Sequence, residues 1–198
     1  MTRAGNRLET RGKLLEAAAG VYAERGWEGT SMALVARRAG FTTGAVYGCF
    51  ESKDDLLATM LEVRAQEITD ALRKKVGAAK TLPEKLAVLK QWYSRRLDTF
   101  ALRGRLTLDL TLRAHENPVL RERLKRVYDA GRTLLAGAME DLAKANGRKL
   151  PLPASELSVL LFAVFEGMLI QQIVDDDNTA LDAFFSLADK LAALRILG

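Results

Sequence analysis

The chain of 198 residues has one cysteine, one histidine and four prolines. A single cysteine excludes an internal disulfide framework, a four-cysteine zinc site and an iron–sulfur cluster. The one histidine, His115, still leaves too few ligands for an ordinary zinc site. It precedes Glu116-Asn117-Pro118 at a helix junction, the place of a capping or surface residue. Nucleophilic and metal chemistry therefore have little to work with. An enzyme would fall back on a carboxylate pair such as Asp109 and Glu166, whose separation the sequence leaves open. Long hydrophobic runs are scarce as well. The most apolar stretch, Leu157 to Val174, is interrupted by Glu166, Gln171 and Gln172. A spanning helix needs about 20 largely apolar residues, so no membrane segment is expected. Residues 1–13 are polar and carry Arg3, Arg7, Arg11 and Lys13, which is unlike a secretory leader. The expectation is a cytoplasmic protein without metal, cofactor or membrane.

What is present is a helical composition. Apolar residues make up 48% and charged residues 28%, as in a globular domain. Ala, Leu, Arg, Glu and Lys dominate, and no long alternation of apolar and polar residues suggests a sheet. The spacing predicts an all-α chain of about nine helices. The first runs from about Arg7 to Arg25 and stops at Gly26. Thr30 and Ser31 cap a short helix ending near Arg38. Gly40 breaks the chain, and Thr42 or Thr43 caps another short helix to Tyr47. Ser52 starts a long helix, with Asp55 as its capping-box partner, ending near Gly77. Pro83 opens a helix through Trp92, Tyr93 and Phe100, and Gly104 is expected to separate it from a short one holding Leu106 to Leu112. Further helices are predicted at Pro118–Ala145, about 154–174 and about 179–197. Pro151 and Pro153 mark a linker between them. The expected division is a compact N-terminal part over 1–51 and a larger helical bundle over 52–198, with the helix from Ser52 connecting them.

The most informative segment is Thr30 to Leu57. Two short helices meet at Ala39-Gly40-Phe41, and Gly40 gives the backbone freedom that a helix-turn-helix turn needs. Val35, Ala36, Phe41, Val46 and Phe50 are candidate core. What remains, Thr42, Thr43, Gly44 and Tyr47, is small or hydrogen-bonding. A recognition helix needs such a front, because bulky side chains hold its backbone away from base edges. Lys53 lies in the first turn of the next helix, beside backbone N–H groups that also attract phosphate.

Gly26-Trp27-Glu28-Gly29-Thr30-Ser31, Val35 through Tyr47, and Phe50-Glu51-Ser52-Lys53-Asp54-Asp55-Leu56-Leu57 together resemble the DNA-binding region of the tetracycline-repressor (TetR) family. The resemblance spans about 45 residues without a gap, several fixed spacings agreeing at once. It implies a dimeric, ligand-responsive transcriptional regulator, usually a repressor and in some members an activator. By position, Thr42, Thr43 and Gly44 resemble the base-facing residues, and Thr30, Ser31, Tyr47 and Lys53 the phosphate contacts. The chain departs from the pattern at Gly48-Cys49, where the family often has a larger polar or aromatic residue followed by His. Gly48 removes one possible phosphate contact. Cys49 is either structural or a thiol switch.

Charge does not carry this reading. Net charge is +5, from 30 basic and 25 acidic residues. Residues 1–50 have seven basic residues against four acidic, but residues 63–144 have eighteen against ten. The positive excess therefore lies mostly outside the expected DNA module, and the reading rests on the motif. Arg3, Arg7 and Arg11 recur every four residues, either as a DNA-facing arm or as a solvated terminus.

Beyond residue 62 the pattern points to a bundle. Leu157 to Val174 is apolar almost all round, so it is expected to be covered on two sides, one by its own domain and one by a second subunit. With the helix at about 179–197, carrying Leu181, Phe184, Phe185, Leu187, Ala188, Leu191 and Leu194, it would form a four-helix homodimer interface. Trp92, Tyr93, Phe100, Asp109, Tyr128, Phe162 and Glu166 are candidate effector contacts; for each aromatic, ordinary core packing is the alternative. Asp109 and Glu166 stand in apolar surroundings and need partners. These are either Arg96, Arg103 or Arg113, or a cationic or hydroxyl-bearing ligand. The partners expected are double-stranded operator DNA, a small and largely apolar effector, and a second copy of the chain. The competing reading is a helical small-molecule-binding protein that does not engage DNA.

Overall fold

The computed structural model describes residues 3–95, 97–145, 147, 149–175 and 179–193; of residues 3–6, 82, 97–101 and 191–193 it describes the backbone alone. The side chains of Arg3, Leu97, Phe100 and Leu191, and all of Arg96, Asp176, Asp177, Leu194 and Leu197, thus lie outside the described residues. Among the described residues the chain is all-α, with nine helices: α1 (Arg3–Gly29), α2 (Met32–Ala39), α3 (Thr43–Tyr47), α4 (Lys53–Ala78), α5 (Leu82–Ser94), α6 (Leu97–Ala114), α7 (Pro118–Ala145), α8 (Ala154–Asp175) and α9 (Thr179–Ala193).

Of the capping residues read from sequence, Ser31, Thr42 and the Ser52–Asp55 pair cap their helices, and the structure adds one more cap. Thr81 and Glu84 close a full capping box at the start of α5, with a proline in its first turn. The Ser52 hydroxyl accepts the Asp55 N–H at 3.1 Å, and the Asp55 carboxylate accepts the Glu51 N–H at 2.9 Å. Gly104 corrects the expected boundary. It sits inside α6, and the break falls at Arg95, which caps α5. A Cβ on Gly104 would stand 3.1 Å from both Cβ and O of Leu169. The glycine is there because α6 passes close to α8, and it ends nothing.

Two compact units form. The first comprises Met1–Arg64 with Leu106–Leu124, the second Ala65–Arg105 with Lys125–Gly198. The core of the first draws Leu14, Ala18, Val21 and Tyr22 from α1, Val35 from α2, Val46 from α3, Leu56, Leu57 and Leu61 from α4, and Leu110 from α6, all buried. In the second, Leu72, Trp92 and Leu169 are packed by Ile68, Leu89, Tyr93, Leu134 and Phe165. α8 is long and apolar enough to cross a membrane by length and composition alone. Ser158, Phe162, Met168 and Leu169 bury one side of it. Val159, Leu160, Val164, Ile170, Ile173 and Val174 remain exposed.

Candidate DNA-reading surface and effector site

α2 and α3 meet at a tight turn. Gly40 adopts the left-handed conformation (φ 73°), which a residue with a Cβ rarely takes, and the Phe41 N–H reaches back to the Ala36 carbonyl at 2.9 Å. Ser31 caps α2 and Thr42 caps α3, each hydroxyl oxygen accepting a backbone N–H at 3.2 Å. Val46 and Phe50 anchor α3 from beneath. Thr42, Thr43, Gly44 and Tyr47 are exposed together on the helix front, as is Ser31 at the start of α2. Tyr47 is 57% exposed, which is high for an aromatic ring.

Thr30 differs from the rest of that set. Its side chain is buried, its hydroxyl donates to the Gly26 carbonyl at 2.6 Å, and its N–H donates to the Trp27 carbonyl. Both groups brace the bend at Gly26 (φ 65°), where the last turn of α1 changes direction. Thr30 faces the interior, because a hydroxyl at a bend is most useful on the orphaned carbonyl it leaves. Lys53 is half-buried; its ammonium donates to the Trp27 carbonyl at 3.1 Å and lies 5.1 Å from the Trp27 ring centroid.

Two basic residues of α1 reach the carbonyl end of α3. Arg7 donates to the Gly48 carbonyl and Arg11 to the Cys49 carbonyl, both at 3.0 Å, with the Arg11 guanidinium 4.6 Å over the Phe50 ring. Cations at the carbonyl end of α3 complement its partial negative charge. The two arginines therefore hold the C-terminal end of α3 in place. This adds a third role for these two to the alternatives of a DNA-facing arm and a solvated terminus.

Sequence reasoning named Arg113 as a partner for Asp109 or Glu166 but missed Arg123 and the way these arginines tie the first unit together. Arg123 of α7 makes a side-on pair with Glu62 (2.8 and 2.6 Å), reaches Asp55 at 2.7 Å and donates to Thr59 at 2.8 Å. Burial pushes the Asp55 carboxyl up, but the Glu51 N–H and the Arg123 guanidinium outweigh it and hold it below its usual range. The same contacts, led by Glu62, push Arg123 further up. Arg113 of α6 stacks 3.7 Å over the Trp27 ring and pairs with Glu28 at 3.2 Å. The Asp109 carboxylate accepts the Tyr22 hydroxyl. Asp109 therefore belongs to the first unit, with a tyrosine as its partner. None of these pairs has a local signal, since each joins residues some sixty to ninety positions apart.

The second unit gathers the aromatics. Tyr93 lies 5.3 Å from Trp92 and 5.2 Å from Phe165 between ring centroids, and Tyr128 lies 5.5 Å from Phe162. Gly131 allows this cluster to close, because a Cβ there would stand 2.3 Å from Cε2 of Phe162. Glu166 finds Arg103, one of the three arginines expected, at 2.9 Å, both side chains nearly excluded from solvent. Burial, opposed by Arg103, pushes the Tyr93 phenol well above its usual range, so it stays protonated. Nε and Nη1 of Arg103 are buried with no acceptor among the described residues, as is Nε of Arg132. An unmatched buried donor costs about 1–3 kcal/mol, more when charged. Of the effector candidates, Trp92, Tyr93, Tyr128, Phe162 and Glu166 share this unit; the Phe100 side chain is outside the described residues, and Asp109 belongs to the first unit.

Known proteins bear on this arrangement. Residues 14–60 match the family model of bacterial regulatory proteins, tetR family. The HTH-type transcriptional regulator CymR of Pseudomonas putida is 29% identical over 178 residues, 89% of this chain and 86% of that one. In fold, the chain resembles the transcriptional regulator FadR of Bacillus subtilis in complex with stearoyl-CoA (TM-score 0.69, 20% identity, 90% and 95% of the two chains). It equally resembles a regulator from Saccharomonospora viridis in complex with choline (TM-score 0.72, 20% identity, 92% and 95%). The helix-turn-helix over the matched residues, and the nine-helix order that follows it, lead to one conclusion: residues 14–60 are a DNA-binding region of the tetR family of bacterial regulatory proteins, carried on a fold shared with solved regulators of transcription.

Proposed function

We propose that the chain acts in the cytoplasm as a repressor, binding a palindromic operator as a homodimer and leaving it when a small, largely apolar effector binds. In this reading residues 1–51 read DNA, and residues 52–198 bind effector and dimerise. The observation that carries it is the exposed front of α3, small and hydrogen-bonding over a glycine-closed turn. Thr42, Thr43 and Gly44 face base edges. Ser31, Tyr47 and Lys53 contact phosphates, Lys53 by exchanging the Trp27 carbonyl for an anion. Thr30 supports them from inside. Trp92, Tyr93, Tyr128, Phe162 and Glu166 serve the effector.

The dimer is assigned to α8 and α9. Support comes from the exposed apolar residues of α8 and from Leu187 on α9, 57% exposed, whereas Phe185 of α9 is already buried within its own subunit. A contiguous apolar face of this kind is normally covered. A two-fold dimer sets two recognition helices about one DNA turn apart, roughly 34–36 Å. Effector then selects the conformer whose spacing does not fit, and operator affinity falls.

The test is selection of bound fragments from a random duplex pool by the purified full-length protein. A two-fold symmetric site is expected, with binding that weakens steeply as salt rises. Thr43→Ala should change sequence preference; Lys53→Ala should weaken all sequences alike. A dimeric, folded protein that enriches no symmetric site overturns the reading.

A further inference from the structure

The fold neighbours do not choose the chemistry of the effector, since one holds an acyl thioester and another a quaternary ammonium. The chain's own side chains do. Arg103 is 8% exposed and uses one nitrogen, Nη2, on Glu166. Its guanidinium carbon lies 5.6 Å from the Phe165 ring centroid. Nε and Nη1 are sealed from solvent with no acceptor among the described residues. Beyond Phe165, the Phe162 ring follows at 6.4 Å, and the Arg132 guanidinium stands 5.9 Å from Phe162. Arg132 is partly exposed and pairs with Asp129 at 3.6 Å, but its Nε is buried without an acceptor there.

This asymmetry has a chemical meaning. An arginine cannot shed its charge to escape burial, and it carries donors only. Glu166 matches one unit of charge but not the remaining N–H groups. Each guanidinium already has its carboxylate, and a cation accepts no hydrogen bond, so it would leave the free N–H groups of both unmatched. An anion with an apolar body satisfies both needs: its oxygens accept the free N–H groups, and its body lies on the phenyl faces.

We propose that the effector is an apolar monocarboxylate whose carboxylate accepts hydrogen bonds from Arg103 and whose body packs on Phe165 and Phe162. This rests on the reading that the second unit is the effector site. It adds the sign of the ligand's charge and the residue that recognises it. Glu166 is then a competitor for Arg103, holding the guanidinium in place when the site is empty.

The test uses the free full-length protein without DNA, by thermal shift and calorimetry. The probes are benzoate and octanoate, with benzamide as the neutral analogue and choline as the cation. One or both carboxylates should bind, and benzamide and choline should bind at least tenfold more weakly. Arg103→Met should lose carboxylate binding at least tenfold. Glu166→Gln should tighten it several-fold, a gain that a merely structural pair would not give and that stays readable if the Arg103 variant fails to fold. Benzamide binding as well as benzoate, choline binding in preference, no carboxylate binding, or Glu166→Gln abolishing binding each overturn the proposal. Operator selection is read separately. Operator binding released only by neutral or cationic compounds sinks this inference alone; carboxylate binding by a protein that selects no operator sinks the repressor reading alone.

Discussion

The two compact units use arginine in opposite ways. In the first, Arg11, Arg113 and Arg123 tie helices together that are far apart in sequence, on carbonyls, carboxylates and ring faces. In the second, Arg103 is more deeply buried than any of these, yet two of its nitrogens lack an acceptor among the described residues. Matched donors fix a shape, which suits the DNA-reading surface proposed for the first unit. Unmatched buried donors are hydrogen-bonding capacity that an acceptor from outside the chain satisfies, as proposed for the second. The surfaces differ likewise, with hydroxyls exposed on α3 and aliphatic side chains on α8.

The largest effect that would break or confirm this contrast is in stability. Arg123→Met leaves the Asp55 and Glu62 carboxylates facing each other without their common partner. Breaking a fully buried pair costs about 3–5 kcal/mol; these groups keep some solvent, so a loss of roughly 2 kcal/mol is expected in urea denaturation. The double variant Arg103→Met, Glu166→Leu should stay within about 1 kcal/mol of the parent, since replacing both members of a buried pair is often neutral. If the double variant is the more damaging, Arg103 is a structural tie like the others and the contrast disappears.

Packing gives the next largest effect. Gly131→Ala places a methyl group against the Phe162 ring, and overpacking costs about 1–3 kcal/mol. The near-ultraviolet circular dichroism of the aromatic cluster should change with it. An unchanged spectrum and an unchanged denaturation midpoint would mean that the ring moves freely, and that the cluster is not a shaped surface.

Acid should act first on the first unit. Asp55 has a carboxyl held below its usual range in the folded state, so it binds a proton more readily when unfolded. Its contribution to stability is therefore present above the unfolded value and is lost as pH falls through the folded one. The denaturation midpoint should drop below about pH 4, and Asp55→Asn should flatten that drop. An equal slope in the variant would place the acid-sensitive contact elsewhere. Asp55 is partly exposed, so a modest change of slope is expected.

Local signals carried most of the fold. Capping residues and helical spacing located α2, α3, α7 and the start of α5 closely, because a helix end is decided by the few residues beside it. Gly104 misled for the opposite reason. A glycine ends a helix or lets another backbone approach, and only the position of Leu169 distinguishes the two. The site divides along the same line. The exposed front of α3 was legible because turn and helix are contiguous. The inward commitments of Thr30 and of the α1 arginines were not, since each depends on a carbonyl presented by a separate bend or helix end. Arg103 appeared among three possible partners of Glu166; its unmatched nitrogens are a property of the packed core, with no counterpart in sequence.

The smallest effect concerns the departure at Gly48. The residue caps α3 with ordinary right-handed angles (φ −68°, ψ −16°), and a Cβ would meet the Gly44 and Ala45 carbonyls at 3.4 and 3.5 Å, close to normal contact. Arg7 holds the Gly48 carbonyl, which any residue would present. Nothing in this conformation requires glycine. Gly48→Ala should therefore raise stability by about 0.4–1 kcal/mol, through the smaller conformational freedom of the unfolded chain. Operator affinity should stay within twofold, because the methyl group adds no charge or hydrogen bond. The Gly131 and Gly48 variants thus have opposite signs in one denaturation assay, one ring forbidding a methyl group and one turn tolerating it. A destabilised Gly48→Ala would instead show that the carbonyl end of α3 is packed as tightly as the aromatic cluster, and the departure at this position would be a steric requirement.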